Sequence, residues 1–185
     1  MKIMKKAIGF LEVSNITRGI LAADTMIKAS NIQLYEASSV CPGKFFIVVA
    51  GDVGAVKSSV ESGSHICSGA VVDKAILPNI HEAVFPALFA TNHVAELKAL
   101  GVIETYSVVS AIIAADVAAK AANVELIEVR LARGMGGKAL VTLTGDVGSV
   151  KTAVEAGSNK ALELGALLDN VVIPAPHKDL KSKIM

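Results

Sequence analysis

The first apolar run, Ala7 to Val13, is nearly continuous, and Ile16, Ile20, Ala23 and Ile27 then recur at helical spacing. This pattern predicts a short strand followed by a helix over about Thr17 to Ala29, with Ser14 or Asn15 free to cap its N-terminus. A second strand follows from Ile32 to Ala37, with Ile32, Leu34 and Glu36 on one side and Gln33, Tyr35 and Ala37 on the other. The turn residues around Cys41 separate it from the apolar strand Phe45 to Ala50, so the two strands read as a hairpin. Asp52 can cap a further helix in which Val53, Val56, Val60 and Cys67 form an apolar stripe and Gly69 marks the end. A strand from Val71 to Leu77 then stops at Pro78.

The same plan is written a second time. Gly9-Phe10-Leu11-Glu12 is echoed by Gly101-Val102-Ile103-Glu104, Ala22-Ala23-Asp24 by Ala114-Ala115-Asp116, and Lys28 and Asn31 by Lys120 and Asn123. Gly51-Asp52-Val53-Gly54-Ala55-Val56-Lys57 returns as Gly145-Asp146-Val147-Gly148-Ser149-Val150-Lys151, and Leu77-Pro78-Asn79-Ile80-His81 as Ile173-Pro174-Ala175-Pro176-His177. The second half therefore reads as strand 101–105, helix 108–122, strand 125–131, strand 139–144, helix 147–164 and strand 170–173. Two tandem βαββαβ units of α+β class follow, spanning 1–92 and 93–185. A short helix and linker are expected over 81–100, and a charged tail over 177–185.

Composition changes the picture in one respect. Of 185 residues 52% are hydrophobic and only 4% aromatic, with mean hydropathy +0.56, so Ala, Val, Ile and Leu supply more apolar surface than a small monomer hides, and buried subunit interfaces are expected. A net charge of +1 with scattered lysines gives no footprint for nucleic acid. The basic start followed by an interrupted apolar run does not read as a signal peptide, and Glu104, Asp116 and Lys120 break the most apolar region, so no membrane span is expected. A cytosolic setting follows, with Cys41 and Cys67 as thiols.

Candidate chemistry concentrates in Val40-Cys41-Pro42-Gly43-Lys44, where Pro-Gly forces a turn that holds a thiol on a bend. The matching loop, Arg133-Gly134-Met135-Gly136-Gly137-Lys138, lacks a cysteine. Cys67 falls on an apolar stripe and reads as core packing; His81 and His177, each after a proline, read as structural corners. Gly134, Gly136 and Ala139 nominally fit a dinucleotide fingerprint, but a strand and not a helix follows them. Glu12 and Glu104 are equivalent by duplication, and no nucleophile, base and orienting group occur together, so no enzyme is expected.

The repeated motifs Gly-x-x-Glu, Ala-Ala-Asp-x-x-x-Lys-x-x-Asn, Gly-Asp-Val-Gly-(Ala/Ser)-Val-Lys and Pro-x-x-His resemble the tandem-domain trimeric shell proteins of bacterial microcompartments. With Cys41 in the first loop, the chain is similar to the propanediol-utilisation-type trimers that hold an iron-sulfur cluster at their centre. The resemblance implies permuted ferredoxin-like domains, a pseudo-hexameric homotrimer tiling with other shell proteins, and a location in the microcompartment shell. It also implies that the pore loop, Val40, Pro42, Gly43 and Lys44 with Arg133, Gly134, Met135, Gly136 and Gly137, lines a central opening.

Cys41 from three copies would then ligate one 4Fe-4S cluster, with Arg133 to Gly137 of the other domains alternating between the thiols. An odd number of thiols cannot all pair as disulfides, and three thiolates leave one iron open to another ligand. Amides of Gly43, Val40 or Cys41 are expected to donate to the cluster sulfurs, with Lys44 offsetting negative charge. The implied role is electron transfer across the shell to an encapsulated or cytosolic redox protein. Lys28 and Lys120 match the family's tile-edge lysine, whereas Asn79 and Ala175 stand where an edge arginine is expected. Two other readings remain open: a cluster-free pore tile passing small metabolites, and a cytosolic regulatory oligomer binding a ligand between subunits.

Overall fold

The computed structural model describes residues 7–184. In order, its elements are β1 (Ala7–Val13), α1 (Ile16–Ala29), β2 (Gln33–Val40), β3 (Lys44–Gly51), α2 (Val53–Ile66), β4 (Val71–Leu77) and α3 (Val84–Leu88). The second half supplies β5 (Ala99–Thr105), α4 (Val108–Ala121), β6 (Glu125–Arg130), β7 (Ala139–Gly145), α5 (Val147–Glu163), β8 (Leu167–Ile173) and α6 (Lys178–Ile184). Contacts divide the chain into one unit of 1–80 with 133–137, and another of 81–132 with 138–185.

Each unit holds an antiparallel four-stranded sheet, ordered β2-β3-β1-β4 in the first and β6-β7-β5-β8 in the second. β1 lies inside its sheet, which is why its sequence is apolar at every position but one and why all seven of its residues are buried. Leu11 and Val13 of β1, with Ile47 and Val49 of β3, pack with Ala22, Ala23 and Met26 of α1 and Val56 and Val60 of α2. Phe10 and Phe46 stack on the opposite face, ring centroids 6.2 Å apart. The duplication extends to irregularities: register slips at Tyr35 in β2 and at Ile127 in β6, and again between Glu12 and Val13 and between Glu104 and Thr105.

Several expectations shift. The isoleucine stripe of α1 does not face the core, because Gly19, Ala22, Ala23 and Met26 do, leaving Ile16, Ile20 and Ile27 exposed. Small side chains win the inner face because the sheet approaches closely there: a Cβ on Gly19 would lie 2.2 Å from Phe45 Cβ. Val53 is likewise exposed, while Val56, Val60 and Cys67 are buried as the stripe predicts. The slip at Tyr35 breaks the strict alternation expected along β2. Asn15, not Ser14, accepts the Arg18 amide at 3.0 Å, whereas the Asp52 side chain makes no capping bond. α2 ends at Ile66, ahead of Gly69, and within the charged tail 178–184 forms a helix.

Close approach also explains Gly157 in α5. A Cβ at Gly157 would meet the Ala114 carbonyl oxygen at 2.8 Å and Ile103 Cδ1 at 2.7 Å, whereas one at Gly148, in the same helix, meets nothing within 4 Å. Propensity alone favours alanine over glycine in a helix interior by about 1 kcal/mol. Gly157→Ala is nevertheless expected to destabilise by about 1–3 kcal/mol through overpacking, while Gly148→Ala leaves stability unchanged or raised. Urea unfolding midpoints of the two variants decide the point.

Candidate functional site

The site grows from a turn. β2 and β3 are joined by Cys41, Pro42 and Gly43, with Val40 paired to Lys44 and the Gly43 amide donating to the Val40 carbonyl at 3.1 Å. Gly43 takes φ +88°, open to glycine alone at little cost, so the chain reverses in three residues and carries the half-buried Cys41 at the tip. The Cys41–Pro42 peptide is cis.

Arg133–Gly137 packs against this hairpin within the first unit. The Gly134 amide donates to Cys41 Sγ at 3.3 Å. Arg133 Nη2 reaches Ser38 Oγ at 3.1 Å and Glu36 Oε1 at 3.6 Å. Gly137, at φ +90°, lies so close that an added Cβ would be 2.9 Å from Pro42 Cδ and 3.3 Å from the Cys41 carbonyl oxygen. Met135 and Gly136 complete the loop, Gly136 at φ +61°. The loop from the second repeat therefore lies against the Cys41 turn of its own chain, with Gly134 reaching the thiol, Gly137 the Pro42 ring and Arg133 the strand behind it.

Lys44 fastens the cluster. Its ammonium pairs with the Glu12 carboxylate on β1 and donates to the Gly137 carbonyl at 3.3 Å. The Glu12 side chain has no exposed surface and that of Lys44 only 12%, so the two charges compensate each other inside the protein. Lys138 Nζ and Glu104 Oε1 repeat the pair in the second unit at 2.8 Å, but both are partly exposed. Glu12 and Glu104 are thus anchors for the strand that follows each loop, a role missed in the sequence because the lysine partner lies at the start of the third element further along the chain.

Two expectations about the thiol's surroundings change. The Gly43 amide is engaged by Val40, so the donor aimed at sulfur is Gly134. Lys44 is held by Glu12 and does not serve as a free counter-charge. Among the described residues no three His, Cys, Asp or Glu side chains come together. Cys67 is 1% exposed, its thiol donating to the Arg18 carbonyl at 3.0 Å, and burial raises its pKa, opposed by the Arg18 charge. Lys28 pairs with Asp24 and Lys120 with Asp116, each at 2.6 Å along its own helix. Among the described residues, no helix is long and apolar enough to cross a membrane.

The duplicated sheet and the paired loops match known proteins. The model of the BMC domain matches residues 7–80 and again 99–176. The chain belongs to the BMC-domain family of bacterial microcompartment shell proteins. It is 43% identical to the shell protein PduT of Citrobacter freundii over 96% of each chain. A solved microcompartment protein from Desulfitobacterium hafniense superimposes with a TM-score of 0.88 at 50% identity, over 97% of this chain and 99% of that one. A fused permuted hexameric shell protein of the RMM microcompartment shares the fold, with a TM-score of 0.69 at 23% identity over 89% and 88%. The protein is a structural component of a microcompartment shell, with two BMC domains of α+β class.

Two predictions follow from the cluster's geometry. Lys44→Met removes the cation beside a buried carboxylate and is expected to destabilise by about 3 kcal/mol, whereas Lys138→Met, at a partly exposed pair, costs less than about 1 kcal/mol. Denaturant unfolding of both variants measures the difference. In metal-free native protein, a thiol reagent is expected to label Cys41 rapidly and Cys67 only on unfolding, read by peptide mass spectrometry.

Proposed function

We propose that this shell protein assembles as a homotrimer in which Cys41 from three copies holds one 4Fe-4S cluster, giving the tile an electron-transfer role beside its structural one. The observation that supports this most directly is the Gly134 amide directed at Cys41 Sγ. An N–H donor to a cysteine sulfur favours the thiolate and is a means by which a protein tunes a cluster. The donor set fits: one thiol at the tip of a hairpin, held by Gly43 and Gly137 backbone geometry, on a turn that the Glu12–Lys44 pair fixes from beneath. A cluster of this type, when bound, exchanges electrons one at a time.

Each residue then has a separate task. Cys41 supplies the ligand, Gly134 its hydrogen bond, and Arg133 holds the donor loop by binding Glu36 and Ser38. Lys44 ties both loops to the sheet through Glu12 and the Gly137 carbonyl. No catalytic step is assigned. Other shell proteins are the lateral partners, with Lys28 and Lys120 at the tile edge, and a redox protein inside or outside the shell exchanges the electron.

Anaerobic reconstitution tests the reading. Wild type is expected to take up about four iron and four sulfide per three chains, with the broad brown absorption of a cluster, and Cys41→Ser to take up essentially none. A colourless wild type, or a Cys41→Ser variant with equal iron and sulfide, would overturn it and leave a cluster-free pore tile.

A further inference from the structure

The two repeats use the outer strand of their sheets differently. β2 and β6 both slip in register, at Tyr35 and at Ile127, and beyond the slip Glu36 and Ser38 share one face as Glu128 and Arg130 do. In the first unit Arg133 reaches both residues of the pair from its loop. In the second unit the strand carries its own guanidinium, and Arg130 Nε and Nη2 hold the two Glu128 oxygens at 2.9 and 2.6 Å. Beside that pair lies a cavity of about 280 Å³.

Its walls are apolar on one side and rich in donors on the other. The slip frees Ile127 from strict alternation, so it lines the cavity together with Glu128 and Arg130. Val94 and Ile184 complete the apolar wall. Leu180 and Ile184, four residues apart on α6, pack on the cluster of Val94, Leu100 and Ile127, and this brings Lys183 to the cavity. Lys183 has no carboxylate partner among the described residues, whereas Arg130 neutralises Glu128, so the lining keeps one positive charge. Asn92 gives one amide hydrogen to the Leu126 carbonyl at 2.6 Å and has a second to offer, as the Arg130 guanidinium has beyond those given to Glu128.

We infer that this cavity binds a small aliphatic carboxylate of about six carbons, its chain against Val94, Ile127 and Ile184 and its head on Lys183 and the spare N–H groups of Arg130 and Asn92. Charge selects the class. An ammonium head meets two cations, and a neutral head leaves the Lys183 charge uncompensated. The volume lies near the lower end for small-molecule sites and limits the length of the chain. Because α6, β6 and the segment 90–94 each contribute to the lining, an occupant ties α6 to the sheet. The site lies within the second unit and does not depend on Cys41, on a cluster or on the number of chains that assemble.

Titration of the full chain with hexanoate, followed by the methyl resonances of Ile127 and Ile184, tests the site. Saturable binding of one hexanoate per chain is expected, with a Kd of about 1 mM. Butanoate, two methylenes shorter, is expected to bind about fifteenfold more weakly, and hexan-1-ol and hexylamine at least about tenfold more weakly. Lys183→Glu, at an exposed position, is expected to weaken hexanoate binding by about tenfold or more, and Lys183→Arg to retain it. Lys178→Glu, at the far end of the same helix, makes the same change of charge and is expected to leave binding unchanged. Absence of saturable shifts at Ile127 and Ile184 in the wild type, equal affinity for hexan-1-ol, or equal weakening by Lys183→Glu and Lys178→Glu overturns the inference.

Discussion

One buried charge pair holds the functional end of the first unit in place. Glu12 sits on β1, the strand flanked by partners on both sides, and has no exposed surface of its own. A carboxylate there is tolerable only with a cation beside it, since an uncompensated charge in such a position is strongly destabilising. Lys44, the first residue of β3, provides that cation and reaches on to the Gly137 carbonyl. The hairpin tip, the loop from the second repeat and the central strand are thus fixed by one ammonium group.

The duplicated halves were legible because identical motifs impose identical physical demands. Gly9 and Gly101 recur since α2 and α5 each approach β1 and β5 too closely for a Cβ: one at Gly9 would lie 2.5 Å from Val60, and one at Gly101 2.6 Å from Val154. Continuous apolar runs marked the buried strands, and the repeat carried the reading of the first half onto the second. What escaped sequence reading was non-local or hidden by small residues. The inward face of α1 is made of Gly19, Ala22, Ala23 and Met26, and a hydrophobic stripe of isoleucines on the other side outweighs them in any periodicity count.

The site was read in the same proportion. Cys41 and its flanking loop stand out because a thiol on a Pro-Gly turn is unusual in an otherwise aliphatic chain. The hydrogen bond from Gly134 was not readable, because 93 residues separate donor and acceptor and glycine carries no chemical signal. Gly137 is a similar case. Its neighbour glycines suggest only flexibility, whereas its contact with Pro42 and the Cys41 carbonyl leaves no room for a side chain there. Lys44 was noticed for its charge, but burial gives that charge to Glu12.

Duplication followed by divergence explains why the two loops differ. A ring built from identical single domains presents identical loops to its centre, and a ligand residue placed in one is placed in all. Two domains in one chain allow the loops to differ: the β2–β3 loop is a three-residue turn with the thiol, and the β6–β7 loop is a longer glycine-rich strap whose amide faces that thiol. The two charge pairs diverged alongside, buried where the thiol must be held and partly exposed where only a strap is required.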